Sequence, residues 1–274
     1  PTFMHTLEED RLAYGGMNVV SDIMTTKSGE RMMWPTIDDS ANSGALVAES
    51  GTPTLVDPTF GEVQWTAYKY SSGEIKVTRE LIEDNTVNLV SRIAGLLGTR
   101  LGRLENSVFT NADGTNKPTG LMSVVPTGVT AVGTAAILFD EIIDLEHSVD
   151  PARRGEGCSY MMNDSTLKLL RKLKDSDGRY LWQAEANAGT PGTLNGYGYT
   201  INQDMASAAV SAKPITFGQH KAFKIRRVNG LRLVVTDELY ARTDEIGFFA
   251  WVRIDSNLLD AGDNPVTCLT MAAA

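Results

Sequence analysis

Histidine and cysteine are scarce in this chain of 274 residues, with three of one and two of the other. His5, His147 and His220 lie far apart and belong to no HExxH or paired Cys/His spacing, so a zinc site has no support. His147 reads as solvated, and His220 as a loop residue. Cys158 and Cys268 form no CxxC pair and sit among apolar or small residues. They read as two buried thiols in a reducing compartment rather than as a disulfide. No apolar run approaches the roughly 20 residues of a membrane span, and no membrane partner is expected. Cations are also short. Twenty-five Lys and Arg face 34 Asp and Glu, a net charge of −9, which suits phosphate binding poorly. The basic stretches Lys168 to Lys174 and Lys221 to Arg227 alternate with apolar residues and read as solvated faces of a helix and a strand. Nucleophile elbows, Walker loops and dinucleotide-binding glycine loops are absent. Gly196-Tyr197-Gly198 lacks a third glycine, and Asp175-Ser176-Asp177-Gly178 lacks the closing Glu of a calcium loop. No cofactor or metal is expected. A small hydrolase assembled from distant residues is the minor alternative.

What the chain does have is one long amphipathic stretch, from about Asn85 to Met122. Leu89, Ile93, Leu97, Leu101, Leu104 and Val108 recur at three- and four-residue steps and define one helix face. Arg92, Arg100, Arg103 and Glu105 fall on or beside the others. Asp84 and Asn85 offer N-cap oxygens, and the turn formers from Ala112 to Gly120 end the helix. Over Thr86 to Thr110 it would run roughly 37 Å, the length of a strut.

Upstream lies an unusual region. Arg31 to Ile37 reads as a strand confined to an edge by Pro35, and Val63, Trp65 and Ala67 alternate with polar residues as a second strand. Between them Ser40 to Gly61 is loop-like, with Gly51-Thr52-Pro53 and Asp57-Pro58. So long an unstructured connection argues for a reaching element, and a two-stranded flap is marginal alone in water. Its cover would come from another copy.

The remainder alternates short helices and strands. Glu74 to Leu81 reads as a strand, Val124 to Ala136 as a connector, and Phe139 to Val149 and Thr166 to Lys174 as helices. Cys158 to Met162, Ile215 to Gly218, Phe223 to Arg226, Leu231 to Thr236, Phe248 to Ile254 and Val266 to Met271 read as strands. The class is α+β, without the βαβ alternation of a doubly wound sheet.

The order of parts, namely arm, flap, strand, strut helix and then Asn111-Ala112-Asp113-Gly114-Thr115-Asn116-Lys117-Pro118-Thr119-Gly120-Leu121, resembles the HK97-fold major capsid proteins of tailed double-stranded DNA phages. Met162-Asn163-Asp164-Ser165-Thr166 is similar to their asparagine-started helix, and Lys174-Asp175-Ser176-Asp177-Gly178-Arg179-Tyr180 to the turn after it. Thr216-Phe217-Gly218, with Gln219 where Asp is usual, and Arg253-Ile254-Asp255 resemble two later motifs. The resemblance implies an N-terminal arm (1–20), an E-loop (21–73), a P-domain with the spine helix (74–117 and 229–264) and an A-domain (118–228 and 265–274). It implies a non-enzymatic shell protein, in hexamers and pentamers, that encloses packaged double-stranded DNA held non-specifically. A portal and decoration proteins would be further partners, with assembly in the host cytoplasm and final residence in the virion. A chain that starts at Pro1 would fit removal of a scaffolding segment. Lys27, Arg31, Trp34, Trp65 and Tyr68 are the expected inter-subunit contacts of the E-loop, although the two tryptophans could instead pair across the hairpin. One branch of the family joins a Lys to an Asn between subunits. Here Lys27 and Lys69 are available, but Gly247-Phe248-Phe249 stands where the Asn would be, so no cross-link is expected. An encapsulin-like nanocompartment shell is the alternative of the same fold.

Overall fold

The computed structural model describes residues 16–40, 42–84, 89–155, 157–182, 192–260 and 262–274. The chain begins there with helix α1 (Gly16–Val20), followed by strands β1 (Asp22–Thr26), β2 (Met32–Asp38), β3 (Thr59–Trp65), β4 (Tyr68–Ser71) and β5 (Ile75–Thr78). Helices α2 (Arg79–Glu83), α3 (Leu89–Asn111) and α4 (Leu121–Val124) come next, then β6 (Thr127–Thr130), α5 (Phe139–His147), β7 (Ser159–Met162) and α6 (Asp164–Arg171). The last strands are β8 (Thr193–Leu194), β9 (Tyr197–Ile201), β10 (Ile215–Gly218), β11 (Phe223–Val228), β12 (Arg232–Thr236), β13 (Glu245–Leu258) and β14 (Val266–Thr270). The result is mixed helix and strand, as the pattern of the sequence predicts.

Helix α3 is 23 residues long, about 34 Å at helical rise. Its buried stripe runs through Ile93, Ala94, Leu97, Leu101 and Phe109. Leu89 and Val108, expected on that face, are only partly buried against the same core. Glu105, expected on or beside the polar side, is fully buried and paired with Arg227 at 3.1 Å. Asp84 closes α2, its N–H donating to Glu80 O. Asn85, the other expected cap, lies outside the described residues. The strand at Glu74 to Leu81 is cut short because the Thr78 hydroxyl accepts from Leu81 N and starts α2.

The helix packs on a six-stranded sheet centred on β13. Phe248, Ala250, Val252 and Ile254 alternate along β13 and are buried, as period-two patterning on one covered face requires. Ile254 pairs with both Arg227 and Tyr68, and Trp251 with both Arg232 and Ser71. Strands β11 and β12 therefore line one edge of β13 and β4 and β5 the other. Strand β1 lies parallel to β11, beyond it. Three strands of this sheet come from stretches that the resemblance assigns outside the P-domain. Asp22–Thr26 and Tyr68–Ser71, taken with the loop, are strands of this sheet, and so is Phe223–Val228, taken with the A-domain. Of the arm, residues 1–15 lie outside the description, while Met17 in α1 is fully buried in the helix–sheet core.

A second six-stranded sheet has the order β6-β14-β10-β7-β9-β8. Its core holds Tyr160, Phe217, Ile215 and Leu269, with Ile142 and Leu145 from α5 and Leu167 and Leu170 from α6. Glu141 accepts Leu138 N at 2.9 Å and Val132 N at 2.7 Å, fixing the start of α5. Asn163 caps α6, accepting Ser165 N. The connector expected at Val124 to Ala136 contributes β6, which runs parallel to β14. After α3, Gly120 N donates to Ala112 O at 2.7 Å. A Cβ at Gly120 would stand 2.5 Å from Ala112 N, so this turn requires glycine. Cys158 and Cys268 are both buried and free, and burial raises both thiol pKa values.

Candidate functional site

The flap is a two-stranded ribbon. Met32 pairs with Trp65 and each step follows antiparallel to Asp38 opposite Thr59, with residues 39–58 closing the far end. Trp34 and Trp65 sit diagonally across it with ring centroids 6.0 Å apart, edge to face. Trp65 is fully buried. Beyond that pair the ribbon leaves large apolar side chains open: Met33, Ile37, Leu46, Leu55 and Phe60 are all more than half exposed, with Leu46 at 102% and Leu55 at 85%. From Met32 to Tyr68 there is no Lys or Arg, while Asp38, Asp39, Glu49, Asp57 and Glu62 are all acidic. An apolar and acidic surface on a ribbon is marked for cover by something apolar and basic.

At its root the ribbon meets the body. Arg226 of β11 and Asp255 of β13 are register partners, only 2% and 5% exposed. The Arg226 Nη1 donates to the carbonyls of Trp65 (3.2 Å) and Thr66 (3.0 Å). Its Nη2 donates to those of Ser28 (2.9 Å) and Glu30 (2.8 Å), and Nε donates to the Thr26 hydroxyl at 3.1 Å. All five guanidinium N–H groups are thus used. The Asp255 carboxylate accepts Thr66 N and Ser256 N. Burial pushes its pKa up; those hydrogen bonds and the Arg226 charge oppose the rise. Arg253 lies beside the same root, where a Cβ on Gly29 would come within 2.7 Å of its guanidinium.

Next to the root, on the side of β13 away from α3, is a groove of about 680 Å³. Lys69, Arg232, Arg253, Phe249 and Trp251 line it, and among the described residues no acidic side chain does. Phe249 and Trp251 meet edge to face at 6.0 Å, and the Lys69 ammonium stands 4.0 Å over the Trp251 ring.

Of the five residues singled out from the sequence, Lys27, Arg31 and Trp34 are exposed, Tyr68 is half-buried, and Trp65 is enclosed by its own chain. All sit on the ribbon or its root. Sequence reasoning missed Arg226, although it noted Asp255 within a motif. From its alternation Lys221 to Arg227 reads as a solvated strand face, yet Arg226 and Arg227 both hold buried partners. His220, expected in a loop, is buried in a short turn between the Thr216 hydroxyl and the Ser159 hydroxyl, each at 3.1 Å. Burial holds its pKa down at about 4. Both ring nitrogens meet hydroxyls of the second sheet. Among the described residues no cluster of His, Cys, Asp and Glu could hold a metal.

Among curated protein sequences none matches the chain. Solved structures do. The capsid of a native GTA particle superposes with a TM-score of 0.82 at 21% identity, covering 94% of this chain and 90% of that one. The capsid of an empty GTA particle gives 0.79, also at 21% identity, over 95% and 90%. Mycobacterium phage Bobi gives 0.71 at 16% identity, over 95% and 91%. These likenesses establish the fold as HK97-like. The model of the phage capsid family matches residues 2–267, nearly the whole chain. The chain therefore belongs to the phage capsid family, as a major capsid protein whose work is structural rather than catalytic.

Proposed function

We propose that copies of this chain close into an icosahedral shell of hexamers and pentamers around packaged double-stranded DNA, with each flap laid across a neighbouring copy. The observation that carries this reading is the ribbon itself, whose apolar side chains stand exposed among the described residues. In this reading the ribbon is the E-loop, the sheet on β13 with α3 is the P-domain, and the β6–β14 sheet is the A-domain. Lys27, Arg31, Trp34 and Tyr68 make the inter-subunit contacts, with Trp65 bracing Trp34 from within. The acidic ribbon and the groove lined by Lys69, Arg232 and Arg253 are complementary in charge, which favours a copy-to-copy match. Contacts remain non-covalent, because Lys69 rests over Trp251 of its own chain and no asparagine stands at residues 247–249. A net charge of −9 keeps packaged DNA only loosely held to the wall. A portal and decoration proteins would complete the particle, assembled in the host cytoplasm.

Electron microscopy of native particles, with nuclease-protected nucleic acid assayed in the same fractions, tests this reading. Closed particles with protected DNA are expected, running as a single monomer band on a denaturing gel. Particles filled with protein cargo would point instead to an encapsulin-like compartment. A dispersed species of about 30 kDa, stable across concentration and salt, would overturn the shell reading.

A further inference from the structure

The two legs of the flap have to come together from far apart. Strand β1 lies outside β11, and β4 lies on the opposite edge of β13. Three strand spacings therefore separate the legs within the sheet, roughly 14 Å. By Met32 opposite Trp65 they are a paired ribbon. The convergence happens in residues 27–31 on one leg and 66–67 on the other, directly over the strands that carry Arg226 and Asp255. In these connectors the backbone has left one ladder and has not fully joined the next, so its carbonyls need other donors. Arg226 supplies them for Ser28 and Glu30 on one leg and for Trp65 and Thr66 on the other. Asp255 takes the Thr66 N–H from below.

We propose that Arg226, the register partner of Asp255, is a positioning residue that sets the direction in which the flap leaves the body. The warrant is geometric. One planar fork of five donors ties two segments that are remote in sequence, and its plane fixes their relative orientation. Arg226, Asp255 and Trp65 are buried, Thr26 and Thr66 are half-buried, and Ser28 and Glu30 are exposed, so the fork itself is shielded from water although two of its acceptors lie at the surface. Among the described residues no other side chain hydrogen-bonds backbone of both legs; Asp255 meets only Thr66. The flap then moves as one arm hinged at this point, and its aim depends on a residue that never touches the neighbouring copy. The consequence for assembly rests on the shell reading, whereas the aim of the flap does not.

The test uses the full-length unassembled chain, with spin labels at Thr54→Cys on the flap and Glu238→Cys on the body; the native cysteines are buried. The parent should give one narrow distance distribution. Arg226→Gln should broaden it, leave near-ultraviolet dichroism of the body unchanged, and speed hydrogen exchange of the Thr66 amide by about tenfold or more. Arg226→Lys should broaden it too, because an ammonium keeps the charge but cannot span four carbonyls in a fixed plane. A merely structural role, served by charge alone, would be rescued by Lys. Distributions and exchange identical to the parent in both variants would overturn the proposal. Should both fail to fold, the parent still decides: a Thr66 amide exchanging as fast as those of residues 43–56 refutes the pin, and one protected far above them supports it. Thr26→Val, which removes one donor's partner, should then give a smaller broadening. If the pin holds but no particles form under any condition, the shell reading fails and this one stands.

Discussion

Flap and body are made of the same kind of strand, and they differ in who covers it. Along β13 the alternating Phe248, Ala250, Val252 and Ile254 are buried beneath α3. Along the flap, Met33, Ile37 and Phe60 stand open, and only Trp65 is enclosed. Alternation in a sequence thus encodes a strand with an apolar side, but not the identity of the surface that will meet it. For the body that surface arrives from the same chain, about 150 residues earlier in the case of β13 and α3. For the flap, in the shell reading proposed above, it comes from a neighbouring copy.

This contrast can be broken in several places. Replacing residues 39–58 by an Asn-Gly turn should abolish particle formation, while far-ultraviolet dichroism and thermal melting of the free chain stay close to the parent. Loss of the fold instead would mean that the flap is part of the body. Within the body, Glu105→Ala leaves Arg227 charged and largely enclosed. Breaking such a pair should cost about 3–5 kcal/mol in chemical denaturation of the unassembled chain. Acid should act on the body as well. The His220 pKa lies at about 4 when folded against roughly 6.5 unfolded, so its unfolded form binds the proton more tightly. Its contribution is intact above pH 6.5 and is lost as pH falls toward 4, by on the order of 3 kcal/mol. Comparing the pH dependence of unfolding in the parent and His220→Gln isolates it, and equal slopes would refute the buried neutral imidazole. The smallest effect on the free chain belongs to the flap. Leu46→Ser and Leu55→Ser should change its stability by no more than about 0.5 kcal/mol, yet reduce particle yield. A cost of body size would show that these side chains already have cover.

Much of this was legible. The helix stripe through Ile93, Leu97 and Leu101, the flap strands, the Asn163 cap and the turn after Asn111 all come from local spacing and local hydrogen bonds. The buried charges were not. Glu105 looks like an ordinary polar position because its partner, Arg227, is remote in sequence, and nothing in the neighbourhood of either signals the other. The same holds for Arg226, whose acceptors are backbone carbonyls that any residue could provide. Strand β13 was read only from Phe248 to Ile254. Its polar end, Asp255-Ser256-Asn257, continues the ladder with β11 from Arg226 to Lys224. The ribbon register, by contrast, placed both tryptophans where a cross-strand pair could form, and they do touch.

The legs of the flap enter the body as β1 and β4, each hydrogen-bonded along its length to β11 or β13. A force transmitted down the flap therefore runs along those strands and loads their ladders in shear, many bonds at once, rather than unzipping them one at a time. The rate of yielding under such a load is set by the barrier to unfolding and not by equilibrium stability. Mechanically, the flap is a tether anchored on both sides of a single beam.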